Sequence, residues 1–232
     1  MTERLEVTYS QKHWTNFSRM RDKAGQIVNA LGELKRSAIV HGSLARGDVD
    51  EQSDIDILIQ NEVSTQLVES SLETNGFHPY LRELAQATPM HSPKAHIYLD
   101  SEQKMAVTIP ITALRSLEAE FYRFGGIVGS KELMDHARVP GCTKRLTLIE
   151  PTEQGHVESG IIGREARTAN LLGISVKIVE ERIRVLERRD KIGRTGIFLR
   201  IPVPDEMSFE EVLAREAREN PALRRTLRVR DS

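Results

Sequence analysis

Residues 38–59, AIVHGSLARGDVDEQSDIDILI, contain the most informative pattern in the sequence. An apolar run at 38–40 predicts a short strand that leads into a Gly-Ser pair, and 54–59 predicts a second strand. The polar stretch between them predicts an acidic loop. Side chains alternate along a strand, so we expect the carboxylates of Asp54 and Asp56 to face the same side.

Two carboxylates on one face repel each other unless a cation lies between them. Phosphoryl transfer needs such carboxylates, because they hold the divalent metals that position the attacking hydroxyl and the leaving phosphates. The spacing of Asp54 and Asp56 therefore indicates a metal site, although a solvated strand end would also permit it.

Gly42 and Ser43 follow the first strand. A residue without a side chain lets a phosphate approach the backbone, and a hydroxyl can donate to a phosphate oxygen. The guanidinium of Arg46 could also contact phosphate, or it could pair with Asp48 or Asp50 at the surface. The sequence leaves both alternatives for Arg46 open.

A strand followed by Gly42-Ser43, Arg46-Gly47 and Ser53-Asp54-Ile55-Asp56 resembles the nucleotidyltransferase superfamily named after DNA polymerase beta. The resemblance implies an α+β fold with a mixed sheet flanked by helices. It also implies a metal, Mg²⁺ or Mn²⁺, at the two aspartates and an NTP triphosphate at the Gly-Ser pair. The implied reaction moves a nucleoside monophosphate onto an acceptor hydroxyl and releases pyrophosphate.

The family has a third carboxylate on a later strand, and its identity in this sequence is open. The strand predicted at 95–99 has His96 at the position that aligns with the family's acid, and Asp100 follows it. Glu83, on the preceding strand, is another candidate. Asp100 is preferred as the third catalytic residue, whereas a substitution by His96 would weaken metal binding.

Composition limits the class of protein. With 39% hydrophobic and 29% charged residues among 232, the chain can bury a core as a globular protein. Its 33 basic and 34 acidic residues nearly cancel, so attraction to nucleic acid must come from local patches. The single cysteine, Cys142, excludes an internal disulfide and a multi-cysteine zinc site. Without a signal peptide or membrane-spanning stretch, we expect a cytoplasmic protein.

Flanking patterns divide the chain into consecutive parts. Apolar residues at helical spacing before Gly32 predict a helix; they are Met20, Ala24, Ile27, Val28 and Leu31. Further helices and strands complete a nucleotidyltransferase domain at 1–140. Residues 141–163 are predicted to be a linker, and 164–232 a second domain that ends in a helix and a basic tail.

The second domain has helix-turn-helix spacing, with helices predicted at 165–172 and 176–189 around a tight turn. In the second helix the predicted buried stripe is Val176, Val179, Ile183 and Leu186. The predicted exposed cations of this helix are Lys177, Arg184 and Arg188. A hairpin tip at 193–196 would then carry Arg194.

Residues 164–200 include ten basic and five acidic residues, a local surplus of positive charge in an otherwise neutral chain. This part resembles a winged helix-turn-helix domain, which implies nucleic-acid contact through the second helix and Arg194. We expect an enzyme that transfers a nucleotide to a nucleic acid or protein acceptor. The alternative is a DNA-binding regulator with a degenerate nucleotidyltransferase fold.

Overall fold

The computed structural model describes residues 4–193 and 196–230. The strands are β1 (Leu5–Thr8), β2 (Ala38–His41), β3 (Ile55–Ile59), β4 (Leu81–Gln86), β5 (Lys94–Tyr98), β6 (Met105–Pro110), β7 (Ile127–Gly129), β8 (Gly141–Cys142), β9 (Thr147–Thr152), β10 (Gly155–Gly160) and β11 (Leu199–Pro202). The α-helices are α1 (Gln11–Ala30), α2 (Ser43–Arg46), α3 (Thr65–Thr74), α4 (Ser116–Phe124), α5 (Ser130–Met134), α6 (Glu165–Leu172), α7 (Val176–Ile192), α8 (Phe209–Glu219) and α9 (Pro221–Arg230). This combination confirms the predicted α+β class.

Two compact units form from non-consecutive segments of the chain. The first consists of Met1–Gly25, Ile39–Ile55 and Ser116–Thr195, and the second of Gln26–Ala38, Asp56–Arg115 and Gly196–Ser232. The predicted domains, in contrast, are consecutive in sequence. Local patterns detect the elements but not which of them pack together.

The first unit contains a four-stranded antiparallel sheet in the order β1-β10-β9-β8. Residues 141–163, predicted to be a linker, supply three of these strands. In the same unit β2 pairs antiparallel with β7, so that Val40 lies opposite Val128. Helix α7 contacts both α4 and α6. Their shared core comprises Phe124, Cys142, Leu146, Leu148, Ile161, Ala169, Ile178, Val179 and Leu186.

The second unit is built on strands in the order β11-β4-β5-β6-β3. In the antiparallel registers, Glu83 lies opposite His96, and His96 lies opposite Thr108. The alternate side chains of β4 and β5, Leu84 and Ile97, are fully buried, as the strand period requires.

Arg82, on β4, connects the sheet of this unit to α3 and to the segment before α8. Its guanidinium pairs with the Glu69 carboxylate on α3 and donates to the carbonyls of Pro204 and Met207. Its Cζ also lies over the Phe209 ring, 5.0 Å from the ring centroid. These contacts hold the segment before α8 against β4.

The strand after the predicted hairpin tip, β11, pairs antiparallel with β4 and places Arg200 opposite Ala85. It thus extends the sheet of the second unit, and the predicted winged helix is not confirmed. The predicted basic tail lies within α9, where Leu223 and Thr226 are buried. No helix in the described part of the chain is long and apolar enough to cross a membrane.

Candidate active site

The turn after β2 requires glycine. Gly42 has φ 82° and ψ −146°, a conformation that residues with a side chain rarely adopt. Its amide donates to the carbonyl of Gly126 at 3.0 Å, which fixes the turn. A Cβ at Gly42 would meet no heavy atom within 4 Å, so the backbone there faces open space.

Serine hydroxyls join the two ends of the loop between β2 and β3. Ser43 Oγ donates to Ser53 Oγ at 3.2 Å, and Ser53 Oγ is 3.1 Å from the Asp50 carboxylate. Ser53 Oγ also accepts the amide of Asp50 at 2.9 Å. Because Ser53 directly precedes Asp54, this network links the Gly-Ser pair to the first aspartate.

Asp54 immediately precedes β3, and Asp56 lies within it. The strand begins at Ile55, one residue later than predicted. Asp54 is exposed and Asp56 is half-buried between the buried residues Ile55 and Ile57. The Asp56 carboxylate helps to raise the pKa of Tyr98, after the larger effects of burial and of Glu83. Asp56 therefore lies near the sheet face that carries Tyr98.

The guanidinium of Arg46 is buried and bonds to other groups of the protein. Its side chain is 7% exposed and pairs with Asp48, with 2.9 Å between Nη2 and Oδ2. Its Nη1 donates to the carbonyl of Gly125 at 2.6 Å and to that of Cys142 at 3.4 Å. Of the two alternatives for Arg46, the structure has the pairing with Asp48, but in the interior instead of at the surface.

The two carboxylates suggested for the third position already have partners. Asp100 accepts the backbone amides of Lys104 and Met105 at 3.2 and 2.7 Å, so it shapes the turn between β5 and β6. The Glu83 carboxylate pairs with Arg200, with 2.6 Å between Oε2 and Nε.

The strand order shows which residues lie beside β3. β6 is its neighbour, and β5 is two strands away, roughly 10 Å at the usual strand spacing. On the face that carries His96, β6 has Ala106, Thr108 and Pro110. His96 Nδ1 is 2.9 Å from Thr108 Oγ1. The position next to β3 is thus filled by small or hydroxyl-bearing residues.

His96 is held in its neutral form. Burial, with smaller contributions from the cationic groups of Lys94 and Arg200, lowers the pKa of His96 to about 4. A neutral imidazole can share a hydrogen bond with a hydroxyl but cannot balance the charge of a divalent cation.

Helix α7 presents the predicted cations. Lys177, Arg184 and Arg188 are all exposed, whereas Arg194 lies outside the described residues. Ser175 caps the helix by accepting the amide of Ile178 at 3.4 Å. The predicted buried stripe is wrong at Val176, which is the first residue of α7 and is 39% exposed, whereas its neighbour along the helix, Ile178, is buried beside Val179.

Arg21, the largest fully buried side chain among the described residues, was not predicted from the sequence as a site residue. The signal was present: Phe17, Arg21, Ala24 and Val28 follow helical spacing, so the arginine falls within an apolar stripe of α1. Its guanidinium reaches the carbonyls of Leu44 and Ala45 in α2.

Residues 21–108 match the model of a family described as nucleotidyltransferase domain. The matched segment is shorter than half the chain and includes the loop between β2 and β3, both aspartates, strands β4 and β5 and the first four residues of β6. The match supports the nucleotidyltransferase superfamily for this segment, and the α+β architecture fits that fold. Such domains generally use a nucleoside triphosphate and divalent metals. No curated protein matches the sequence.

Proposed function

We propose that the protein transfers a nucleoside monophosphate from an NTP to an acceptor hydroxyl and releases pyrophosphate. The observation that carries this proposal is the loop within the matched segment, where a glycine-only turn is linked through Ser43 and Ser53 to Asp54.

In this proposal the triphosphate lies against Gly42 and Ser43. The open space at Gly42 would let phosphate oxygens approach the backbone. The Ser43 hydroxyl, which donates to Ser53 at 3.2 Å, can rotate to donate to a phosphate oxygen. Ser53 retains the amide of Asp50 as a donor, so the loop stays fastened when Ser43 turns away.

Asp54 and Asp56 would hold Mg²⁺ or Mn²⁺. Their oxygen atoms fit hard cations, and the exposure of Asp54 leaves room for water ligands. A bound divalent cation would neutralise charge on the triphosphate and orient it for in-line attack. Asp100 has no part in the proposed site, because its carboxylate shapes a turn.

The acceptor would be a nucleic acid or a protein. The exposed cations of α7, Lys177, Arg184 and Arg188, favour a polyanionic acceptor. Glu180 is exposed on the same helix, and this acidic residue would limit binding to a part of its surface.

The test is incubation of the full chain with each α-labelled NTP, Mg²⁺ or Mn²⁺, and a panel of RNA, single-stranded DNA and protein acceptors. We expect label transfer that is lost in the Asp54→Asn, Asp56→Asn double variant. Asp205→Asn, which changes an exposed acid outside the proposed site, is the matched control and should keep activity. Transfer that persists in the double variant contradicts the site.

A second candidate is a DNA-binding regulator whose nucleotidyltransferase fold binds nucleotide without turnover. It is favoured by Thr108 and Ala106 on the strand beside β3, where a third carboxylate would strengthen metal binding. This candidate predicts a salt-dependent gel shift that weakens in Arg184→Ala with Arg188→Ala, together with no label transfer. Label transfer by the wild-type chain would exclude it.

A further inference from the structure

Helix α1 carries a buried charge in an unusual position. Arg21 is 1% exposed, and its four hydrogen bonds all go to backbone carbonyls. Burial lowers the pKa of Arg21 to about 10, so the side chain remains charged at neutral pH. Burying a guanidinium among neutral acceptors is unfavourable, whereas an apolar residue would fill this part of a helix at less cost.

The hydrogen-bond acceptors of Arg21 show which segments of the chain its guanidinium joins. Nε donates to Leu44 O at 2.8 Å and Nη2 to Ala45 O at 3.2 Å, both in α2, which directly follows Gly42. Nη2 also donates to Ala137 O at 2.6 Å. One planar group thus joins α1, α2 and the segment after α5 in a fixed geometry.

A second residue of α1 holds the end of the same loop segment. His13, two helical turns before Arg21, has Nε2 2.8 Å from the carbonyl of Gly47. Gly47 has φ 99°, and a Cβ there would lie 2.3 Å from Cδ of Arg138. The backbone from Ser43 to Gly47 is therefore held from α1 at its middle and at its end.

The geometry points to Arg21 as a positioning residue for nucleotide binding: it fixes α2 and thereby the Gly42-Ser43 turn in the conformation that receives the triphosphate. This inference rests on the proposed function. Positioning of this kind matters because a turn already held in its bound conformation does not have to be ordered when the nucleotide binds.

The test compares Arg21→Lys with Arg82→Lys in the full chain. Both variants keep a positive charge and lose a planar guanidinium that bonds to backbone carbonyls, but Arg82 holds the segment before α8. We expect both to lower the melting temperature. Only Arg21→Lys should raise the KM for the Mg²⁺ complex of ATP, or of whichever NTP the enzyme uses. The factor by which KM rises should exceed the factor by which kcat falls by about tenfold or more.

Amide hydrogen exchange supplies a readout that does not need activity. The amides of Arg46 and Gly47 bond to the carbonyls of Gly42 and Ser43 at 3.1 and 2.7 Å, and they should exchange about tenfold faster in Arg21→Lys than in Arg82→Lys. Equal exchange in the two variants overturns the inference, as does faster exchange with unchanged nucleotide affinity. A wild-type chain that binds no nucleotide overturns the proposed function, while the exchange result still decides whether Arg21 holds the loop.

Discussion

The loop between β2 and β3 and the sheet face formed by β4, β5 and β6 both contain buried polar groups, but these groups have different partners. At the loop, the guanidinium groups of Arg46, within it, and of Arg21, in helix α1 beside it, donate to backbone carbonyls. On the sheet face, side chains pair with one another, as His96 does with Thr108. The first arrangement fixes a backbone that can bind a ligand. In the second, the polar side chains bond to each other, so fewer of them are left to bind a ligand.

The largest effect should come from the two aspartates. Changing Asp54 and Asp56 to Asn keeps their shape but removes both charges that would hold the metal, so nucleotide transfer should fall by about a hundredfold or more. Steady-state transfer rates with Mg²⁺ and Mn²⁺ measure this. Transfer within a few-fold of wild type would show that the loop does not carry the chemistry.

A pH effect on folding should come from the sheet face. The pKa of His96 is lowered to about 4, so the unfolded chain, with an ordinary histidine pKa near 6.5, binds the proton more readily. Stability from this residue is therefore complete above about pH 6.5 and is lost as pH falls towards 4, by about 3 kcal/mol in all.

Denaturant unfolding of wild type and His96→Gln at pH 7 and pH 4.5 isolates this contribution. Glutamine can still bond to Thr108 but does not titrate in this range. The variant should lose less stability than wild type between the two pH values. An equal loss in both proteins would mean that His96 is not held neutral.

The glycine turn should show an effect of about 1–3 kcal/mol on stability and a separate effect on binding. Gly42→Ala is strained because of its φ of 82°, and its methyl group would enter the space proposed for phosphate. Gly76→Ala is the matched control, since Gly76 has φ 80° and also no neighbour within 4 Å of an added Cβ. Calorimetry should show weaker NTP binding only for Gly42→Ala; equal affinities would remove Gly42 from the site.

The smallest effect is a gain. Thr108→Asp would add a carboxylate on β6, next to β3, and should raise Mn²⁺ affinity by about tenfold because affinity grows with ligand charge. Thr108→Asn, of the same shape without the charge, should not. Electron paramagnetic resonance titration of Mn²⁺ measures both variants. A gain in neither would place the metal elsewhere than beside β6.

The sequence predicted the parts of the fold that depend on local patterns. Helix α6 was predicted with its observed bounds, and the apolar stripe of α1, including Ala24 and Ile27, is buried as expected. The grouping of elements was not predicted, because β11 joins β4 across more than a hundred residues of sequence. Periodicity contains no information on such long-range pairing.

The candidate site was likewise predicted only where it depends on residues close together in sequence. The Gly-Ser pair and the two aspartates lie in one short segment, so their spacing was informative. Which strand lies beside β3 depends on sheet order, and β6 could not be distinguished from β5 by sequence. The buried position of Arg21 was overlooked because arginine is normally a surface residue.

A crystal structure with Mg²⁺ and a non-hydrolysable NTP analogue would test the proposed nucleotide and metal site most directly. We expect triphosphate density against Gly42 and Ser43, with a cation bound by Asp54 and Asp56. Nucleotide bound at another place in the protein, with this loop unchanged, would contradict it.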